Sequence, residues 1–323
     1  MRSRQSSPCL VWFLLLLPFC LSASSFDRVP RHAATVAAVN RAAINSWNQL
    51  GAGLELYAEN PRFANFSREE FAAKFLGLKR PRGGVPVSDT PQSRHKFVAP
   101  RTVLPSAVDW RNSPNSLTLM GPVRDQGDCG SCWAFATITC IEAVAASEFG
   151  QFTAYSEQEI VDCADSYGAE GCDGGWFTQA FDYVKDHGLA RADTYPYVAR
   201  DQPCAGRGQQ GRLTGLRSYS AIRSHDETTL MARVAQAPVA VAVDATKFQF
   251  YDSGIMTPYG CSSSDNAVNH AVTIIGYDRT GSAPYWIVRN SWGADWGEGG
   301  YLRMQMDHNT CGISDYPYAV NTV

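Results

Sequence analysis

Gln126-Gly127-Asp128-Cys129-Gly130-Ser131-Cys132-Trp133-Ala134-Phe135 is the stretch on which the reading of this 323-residue chain turns. A Cys-x-x-Cys pair led by a glutamine and followed by an aromatic-rich apolar run admits three chemistries. A redox-active pair would follow a βαβ pattern, and none precedes it. Half a zinc site would need a second Cys pair or a His-x3-5-His at ligand spacing, and neither follows. The third reading makes Cys132 a nucleophile in the first turn of the helix after it, where the dipole and free backbone N–H groups favour a thiolate. A thiolate nucleophile calls for a distant histidine and an amide or carboxylate to orient it.

Both are present. His270 stands in Val268-Asn269-His270-Ala271-Val272, opening a predicted strand, and Asn290 stands in Val288-Arg289-Asn290-Ser291-Trp292-Gly293, closing a later one. A lone histidine at a strand end is usually structural; beside Cys132 and Asn290 that reading recedes. The surrounding chain divides into two halves. Helical patterns cover 132–150, 156–163 and 175–187, with Ser156 and Glu159 forming a capping box and Gly188 closing the last helix. Strand patterns cover 238–245, 270–277, 285–292 and 301–306. A helical half followed by a β half predicts an α+β fold of two subdomains, with Cys132 facing His270 and Asn290 across the cleft.

Working outward, residues 1–24 read as a secretory signal peptide: Arg2 and Arg4 precede an apolar run over 10–21, followed by Ser22, Ala23 and Ser24. That run has 12 residues, short of the roughly 20 needed to cross a bilayer, so no membrane anchor is expected. Cys9 and Cys20 would leave with it, and the rest would sit in an oxidising compartment where bridges persist. Residues 25–103 form a leader without cysteine. It holds Ala-rich helical stretches and a capping box of Ser67 with Glu70 starting a helix that runs to Gly77. Pro81, Gly83, Gly84, Pro86, Pro91 and Pro100 then mark an exposed linker open to nicking. The one Asn-x-Ser/Thr sequon, Asn65-Phe66-Ser67, lies in this leader and coincides with the capping box.

The net charge of −3, from 28 basic and 31 acidic residues, gives no argument for nucleic acid as a partner. It conceals two opposed halves. Residues 25–103 carry 12 basic and 6 acidic side chains, or +6, and residues 104–323 carry 14 basic and 25 acidic, or −11. A basic leader would be held on an acidic domain partly by long-range attraction, which acid weakens.

With Leu104-Pro105-Ser106-Ala107-Val108-Asp109-Trp110-Arg111, Gly171-Cys172-Asp173-Gly174-Gly175, Asn290-Ser291-Trp292-Gly293 and Trp296-Gly297-Glu298-Gly299-Gly300-Tyr301 in the same order, the chain resembles the papain family of cysteine peptidases, cathepsin L type. The resemblance implies a two-subdomain fold, mainly helical and then β-barrel-like, behind a small helical propeptide. It implies an endopeptidase made as a preproenzyme, with 1–24 as signal, 25–103 as inhibitory propeptide and 104–323 as mature domain. Cys132 and His270 would form a thiolate–imidazolium pair, Asn290 would orient the imidazole, and the Gln126 amide with the Cys132 N–H would bind the oxyanion. Trp292 would shield the His–Asn bond and Trp296 would line the leaving-group side; plain core packing is the bland reading of both.

The family pattern pairs Cys129 with Cys172, Cys163 with Cys204 and Cys261 with Cys311, leaving Cys140 as a buried spare. Gly174 and Gly175 would let an extended substrate lie against the backbone, the bland reading being a simple turn. Trp176, Phe177, Ala242, Val268 and Ala271 would line an apolar second pocket that takes a hydrophobic residue two before the cut; helix core is the bland reading of Phe177. The tail after Cys311 is short, so either Asp315 or Tyr316 closes that pocket. The leader would lie backwards through the cleft: Asn40, Ile44 and Asn48 keep the inhibitory-helix spacing, whereas Ala33, Ala37 and Asn65 depart from the family pattern. Expected partners are protein and peptide substrates, the chain's own propeptide and proteinaceous inhibitors of cysteine proteases. No cofactor, metal or nucleic acid is implied, and a monomer in a lysosome- or vacuole-like compartment or outside the cell is expected.

Exopeptidases of this family carry insertions absent between Gln126 and Cys132 and between Cys172 and Cys204. The rival from another class is a secreted, non-catalytic binding protein on the same scaffold. Such relatives lose the nucleophile or its base, and here Cys132, His270, Asn290 and Gln126 are all retained.

Overall fold

The computed structural model describes residues 28–50, 53–81, 84, 103–112, 119–205 and 214–321. The expected signal segment and most of the linker lie outside them. In chain order the elements are α1 (Arg28–Leu50), β1 (Glu55–Tyr57), α2 (Arg68–Phe75), β2 (Ala107–Asp109), α3 (Cys132–Phe149), α4 (Glu157–Cys163), α5 (Phe177–His187), β3 (Ser218–Ala221), α6 (Glu227–Val234), β4 (Val239–Val243), β5 (Tyr251–Met256), β6 (His270–Asp278), β7 (Tyr285–Arg289), β8 (Tyr301–Gln305) and β9 (Tyr318–Asn321).

The helical half is organised by α3. It is long and apolar enough by composition to cross a membrane, but it lies mostly buried inside the protein, and Gly150 in the left-handed conformation ends it. α3 packs on α4, α5 and β6, and Ile138, Ile141, Ile160, Phe177, Phe181 and Val184 close into one apolar cluster. α4 starts on Ser156, whose hydroxyl accepts from the Glu159 N–H. The expected reciprocal half of that box does not form: the Glu159 carboxylate accepts instead from Tyr183 Oη at 2.9 Å and the Ala190 N–H at 2.6 Å. α5 starts two residues later than the sequence suggests, because Gln179 Oε1 accepts from the Trp176 N–H at 2.8 Å and fixes the entry there.

The β half is a mixed sheet in the order β1-β5-β8-β7-β6-β4-β9-β3, with β2 added to β6. The four predicted strands are its centre, β4, β6, β7 and β8; the short β1, β2, β3 and β9 and the irregular β5 carry too little alternation to be read from sequence. β4 and β6 pair antiparallel, setting Ala242 opposite Ala271 and Val243 opposite His270. β4 is buried at every position, which explains its unbroken Val-Ala run.

The leader is built onto this sheet. β1 pairs antiparallel with β5. Asn48 holds β1 through both backbone groups of Tyr57, at 2.7 and 2.8 Å, and Asn40 holds the carbonyls of Ala64 and Phe66. Asn40, Ile44 and Asn48, each four apart, therefore lie on one face of α1. Ser67 and Glu70 make the capping box of α2, and Asn65 is exposed beside it. Tyr57, Phe63, Phe71 and Phe75 of the leader are fully buried in the same apolar cluster as Phe248, Trp292 and Trp296. Bridges join Cys129 to Cys172, Cys163 to Cys204 and Cys261 to Cys311.

Candidate active site

Cys132 is the first residue of α3, with no side-chain cap on the helix start, because the Ser131 hydroxyl is engaged by Tyr197 Oη at 2.6 Å. The backbone N–H groups of Cys132 and Trp133 are thus left to the thiol, and those of Ala271 and Gly77 reach it from the sheet and from the leader. His270, the first residue of β6, sets its Nε2 2.8 Å from Asn290 Oδ1. The same oxygen accepts from the Ser291 N–H at 2.8 Å. An atom that accepts from a backbone N–H is an oxygen, so imidazole Nε2 is the donor and Nδ1 carries the free lone pair. Nδ1 is buried without a hydrogen-bond partner. Trp292 stacks on the imidazole, centroids 4.7 Å apart, and Trp296 meets Trp292 edge-on at 5.2 Å with its Nε1 donating to the Phe248 carbonyl.

Gln126 is fully buried. Its Nε2 donates to the carbonyls of Cys129 at 2.9 Å and Phe75 at 3.1 Å, and its Oε1 accepts from Ser291 Oγ at 2.6 Å. Ser291 and Tyr197, whose hydroxyl donates to the Gln126 carbonyl, are positioning groups that sequence reasoning did not single out. Ser291 was within reach, since it lies inside the Asn290-Ser291-Trp292-Gly293 motif; Tyr197 had no local signal.

The leader runs through the site. Leu78 pairs parallel with Gly175, the Lys79 N–H donates to the Gly175 carbonyl, and the Gly175 N–H donates to the Gly77 carbonyl. Glycine is required on both sides of this passage: a Cβ on Gly77 would lie 1.8 Å from the Gly130 oxygen, and one on Gly174 would lie 2.5 Å from the Gly77 oxygen. Leu78 is buried in the apolar cluster that contains Trp176, Phe177, Ala242, Val268 and Ala271. Tyr316 meets Trp176 edge-on at 5.4 Å at the margin of that cluster, whereas Asp315 turns to His225 Nε2 at 2.7 Å and Asn309 Nδ2 at 2.8 Å.

Among the described residues, leader cations meet carboxylates of the 104–323 segment at four places: Arg62 with Asp125, Lys74 with Asp128, Lys79 with Glu170, and Arg80 with Asp265. One pair has the opposite sense and is buried: Lys247 with Glu55 of β1, at 3.2 Å. With the leader in place, burial pushes the Cys132 thiol up to about 11 and the His270 imidazole down to about 4. The closed site therefore holds thiol and imidazole, both uncharged. Burial likewise raises the Cys140 thiol, which lies in the core beside Thr273.

A sequence profile described as "Papain family cysteine protease" matches residues 104–321. The chain is 36% identical over 273 residues to the thiol protease aleurain of Arabidopsis thaliana, covering 84% of this chain and 73% of that protein. It is 36% identical over 261 residues to digestive cysteine proteinase 3 of Homarus americanus, covering 79% and 77%. The solved structure of digestive procathepsin L 3 from Tenebrio molitor larval midgut superimposes with a TM-score of 0.79 at 36% identity, covering 92% of this chain and 94% of that one.

Proposed function

The chain belongs to the papain family of cysteine proteases, and from that premise we propose that it is the precursor of a secretory-route endopeptidase that cuts after accepting a hydrophobic side chain at P2. In this reading 1–24 is the signal, 25–103 the inhibitory leader and 104–323 the mature enzyme. One observation carries the assignment of roles: Cys132 sits at an uncapped helix start where the Ala271 N–H, next in sequence to His270, reaches its sulfur, and the His270 imidazole has Nε2 committed to Asn290 and Nδ1 bare.

The chemistry follows from that arrangement. Once the leader leaves, water reaches the site and the thiol proton passes to His270 Nδ1, giving the thiolate–imidazolium pair. The sulfur attacks the scissile carbonyl, and the Gln126 amide with the Cys132 N–H takes the oxyanion. In the closed form Phe75 supplies a carbonyl to the same Gln126 amide. His270 then gives its proton to the leaving amine, water attacks the thioester with His270 as base, and the acid product departs. Ser291 holds Gln126 in the donating orientation, which removes reorganisation from the barrier. Trp292 keeps water from the His–Asn bond.

The burial of Leu78 among Trp176, Phe177, Ala242, Val268 and Ala271 supports an apolar P2 residue. Three bridges and the amino-terminal segment support a lysosome-like, vacuole-like or extracellular destination. The test is hydrolysis of an unfolded protein by the processed enzyme and its Cys132→Ser form. Activity that thiol alkylation abolishes in the first, and that is absent from the second, is expected; retained hydrolysis in Cys132→Ser would disprove it.

A further inference from the structure

Beyond the second pocket the leader displays a second reading of side chains. From Leu78 onward its side chains alternate between the cleft walls, as extended backbone requires. Leu78 enters the apolar pocket, Lys79 reaches Glu170 on the helical side at 2.8 Å, and Arg80 returns to the β side. There the Arg80 guanidinium lies over the Tyr316 ring, 4.8 Å from its centre, donates to Asn266 Oδ1 at 3.1 Å and stands 3.9 Å from Asp265 Oδ2. The Tyr316 hydroxyl donates to that same Asp265 oxygen at 3.2 Å, which aims the carboxylate at the cation. An aromatic face, a carboxylate and an amide oxygen thus converge on one planar cation, and all three belong to the enzyme part of the chain.

We infer that this cradle, vacated when the leader is removed, reads an arginine side chain of the substrate two positions before the P2 residue. The inference rests on the protease reading above and adds to it a class of substrate: basic peptides of the order Arg-x-hydrophobic-x ahead of the cut. The register follows from the leader. Phe75 marks the oxyanion donor and Leu78 the second pocket, so the Arg80 position lies farther from Cys132 on the same wall as P2, which is where P4 falls in an extended chain running the opposite way. Arginine is favoured over lysine because its planar, weakly hydrated head both stacks and donates.

The experiment compares fluorogenic peptides Arg-Ala-Leu-Gln and citrulline-Ala-Leu-Gln with the processed enzyme, citrulline keeping the shape and losing the charge. A preference for arginine of roughly five- to tenfold in kcat/KM at low salt is expected, the size of a partly exposed cation–π contact plus one exposed ion pair. The ratio should fall in 0.5 M salt, fall by about half in Asp265→Asn and approach unity in Tyr316→Leu. Each variant is its own control, since only the ratio between two peptides is read, and exposed Asp265 tolerates substitution even if Tyr316→Leu fails to fold. Equal rates for the two peptides in the unaltered enzyme would overturn the cradle. Hydrolysis of neither peptide would instead count against the protease reading.

Discussion

Replacing Glu55 by Gln should open the precursor about 100-fold. Glu55 lies in the leader and Lys247 in the enzyme part, with side chains 0% and 1% exposed. The carboxylate also accepts from Tyr57 Oη at 2.8 Å and from the N–H and hydroxyl of Thr257. Removing one partner of a buried pair costs about 3 to 5 kcal/mol. Lys247 keeps the Tyr259 carbonyl at 2.5 Å and the Tyr57 ring at 4.7 Å, which points to the lower end. The cost falls on the closed state alone, because an ammonium freed of the leader meets water. About 3 kcal/mol is roughly 100-fold in the open population. The assay is the alkylation rate of Cys132 in the intact precursor at neutral pH, where the closed form hides the sulfur. Lys247→Met should match the effect, and Glu55→Gln combined with Lys247→Met should open the precursor by less than the product of the two single effects, since the second change meets a pair already broken. An alkylation rate for Glu55→Gln within threefold of the parent would refute the reasoning.

Four further outcomes follow from the same contacts. Gly77→Ala should leave the precursor constitutively active, because its Cβ has no room above Gly130; a precursor still silent toward peptides would show that the leader can shift. Gln126→Ala should lower kcat by about 10² to 10³, and Ser291→Ala by about tenfold, with KM little changed in both; an unchanged kcat in Ser291→Ala would remove its orienting role. In the inactive Cys132→Ala precursor, His270 is held near 4 when closed and returns toward its ordinary value of 6.5 when open. The closed form is thus favoured above 6.5, and up to about 3 kcal/mol of that preference is lost as pH falls from 6.5 to 4; thermal melts with and without His270→Gln should differ in slope over that window and nowhere else. Reversing Asp125 to Arg should weaken closure most among the surface pairs, since Arg62 binds both its oxygens and the Trp292 carbonyl; an effect no larger than that of Asp128→Lys would count against this order.

What the sequence discloses and what it hides divide along physical lines. α3 and the central strands are continuous apolar runs, α3 closed by Gly150, so Cys132, His270 and Asn290 fall at element ends that can be read locally. The Gln126–Ser291 bond, 165 residues apart along the chain, and the Tyr197 brace depend on the folded path and leave no local mark. The opposed charges of leader and enzyme are visible as totals, yet totals miss Glu55–Lys247, where the signs are exchanged and the pair is buried. The short tail after Cys311 leaves Asp315 and Tyr316 undecided in sequence, because their partners, His225 for the first and Trp176 for the second, are brought to them only by the folded path.

The burial of Cys132 has one more consequence, for how the precursor is made. Six cysteines must pair while two stay reduced, and the sulfur nearest the Cys129–Cys172 bridge in sequence is the one that must never join it. Disulfide exchange needs an accessible thiolate. Under Gly77 the Cys132 sulfur is neither accessible nor ionised, its pKa standing near 11. In the proposed precursor the contact that covers the active-site sulfur would also keep it out of thiol–disulfide exchange for as long as the leader stays in place.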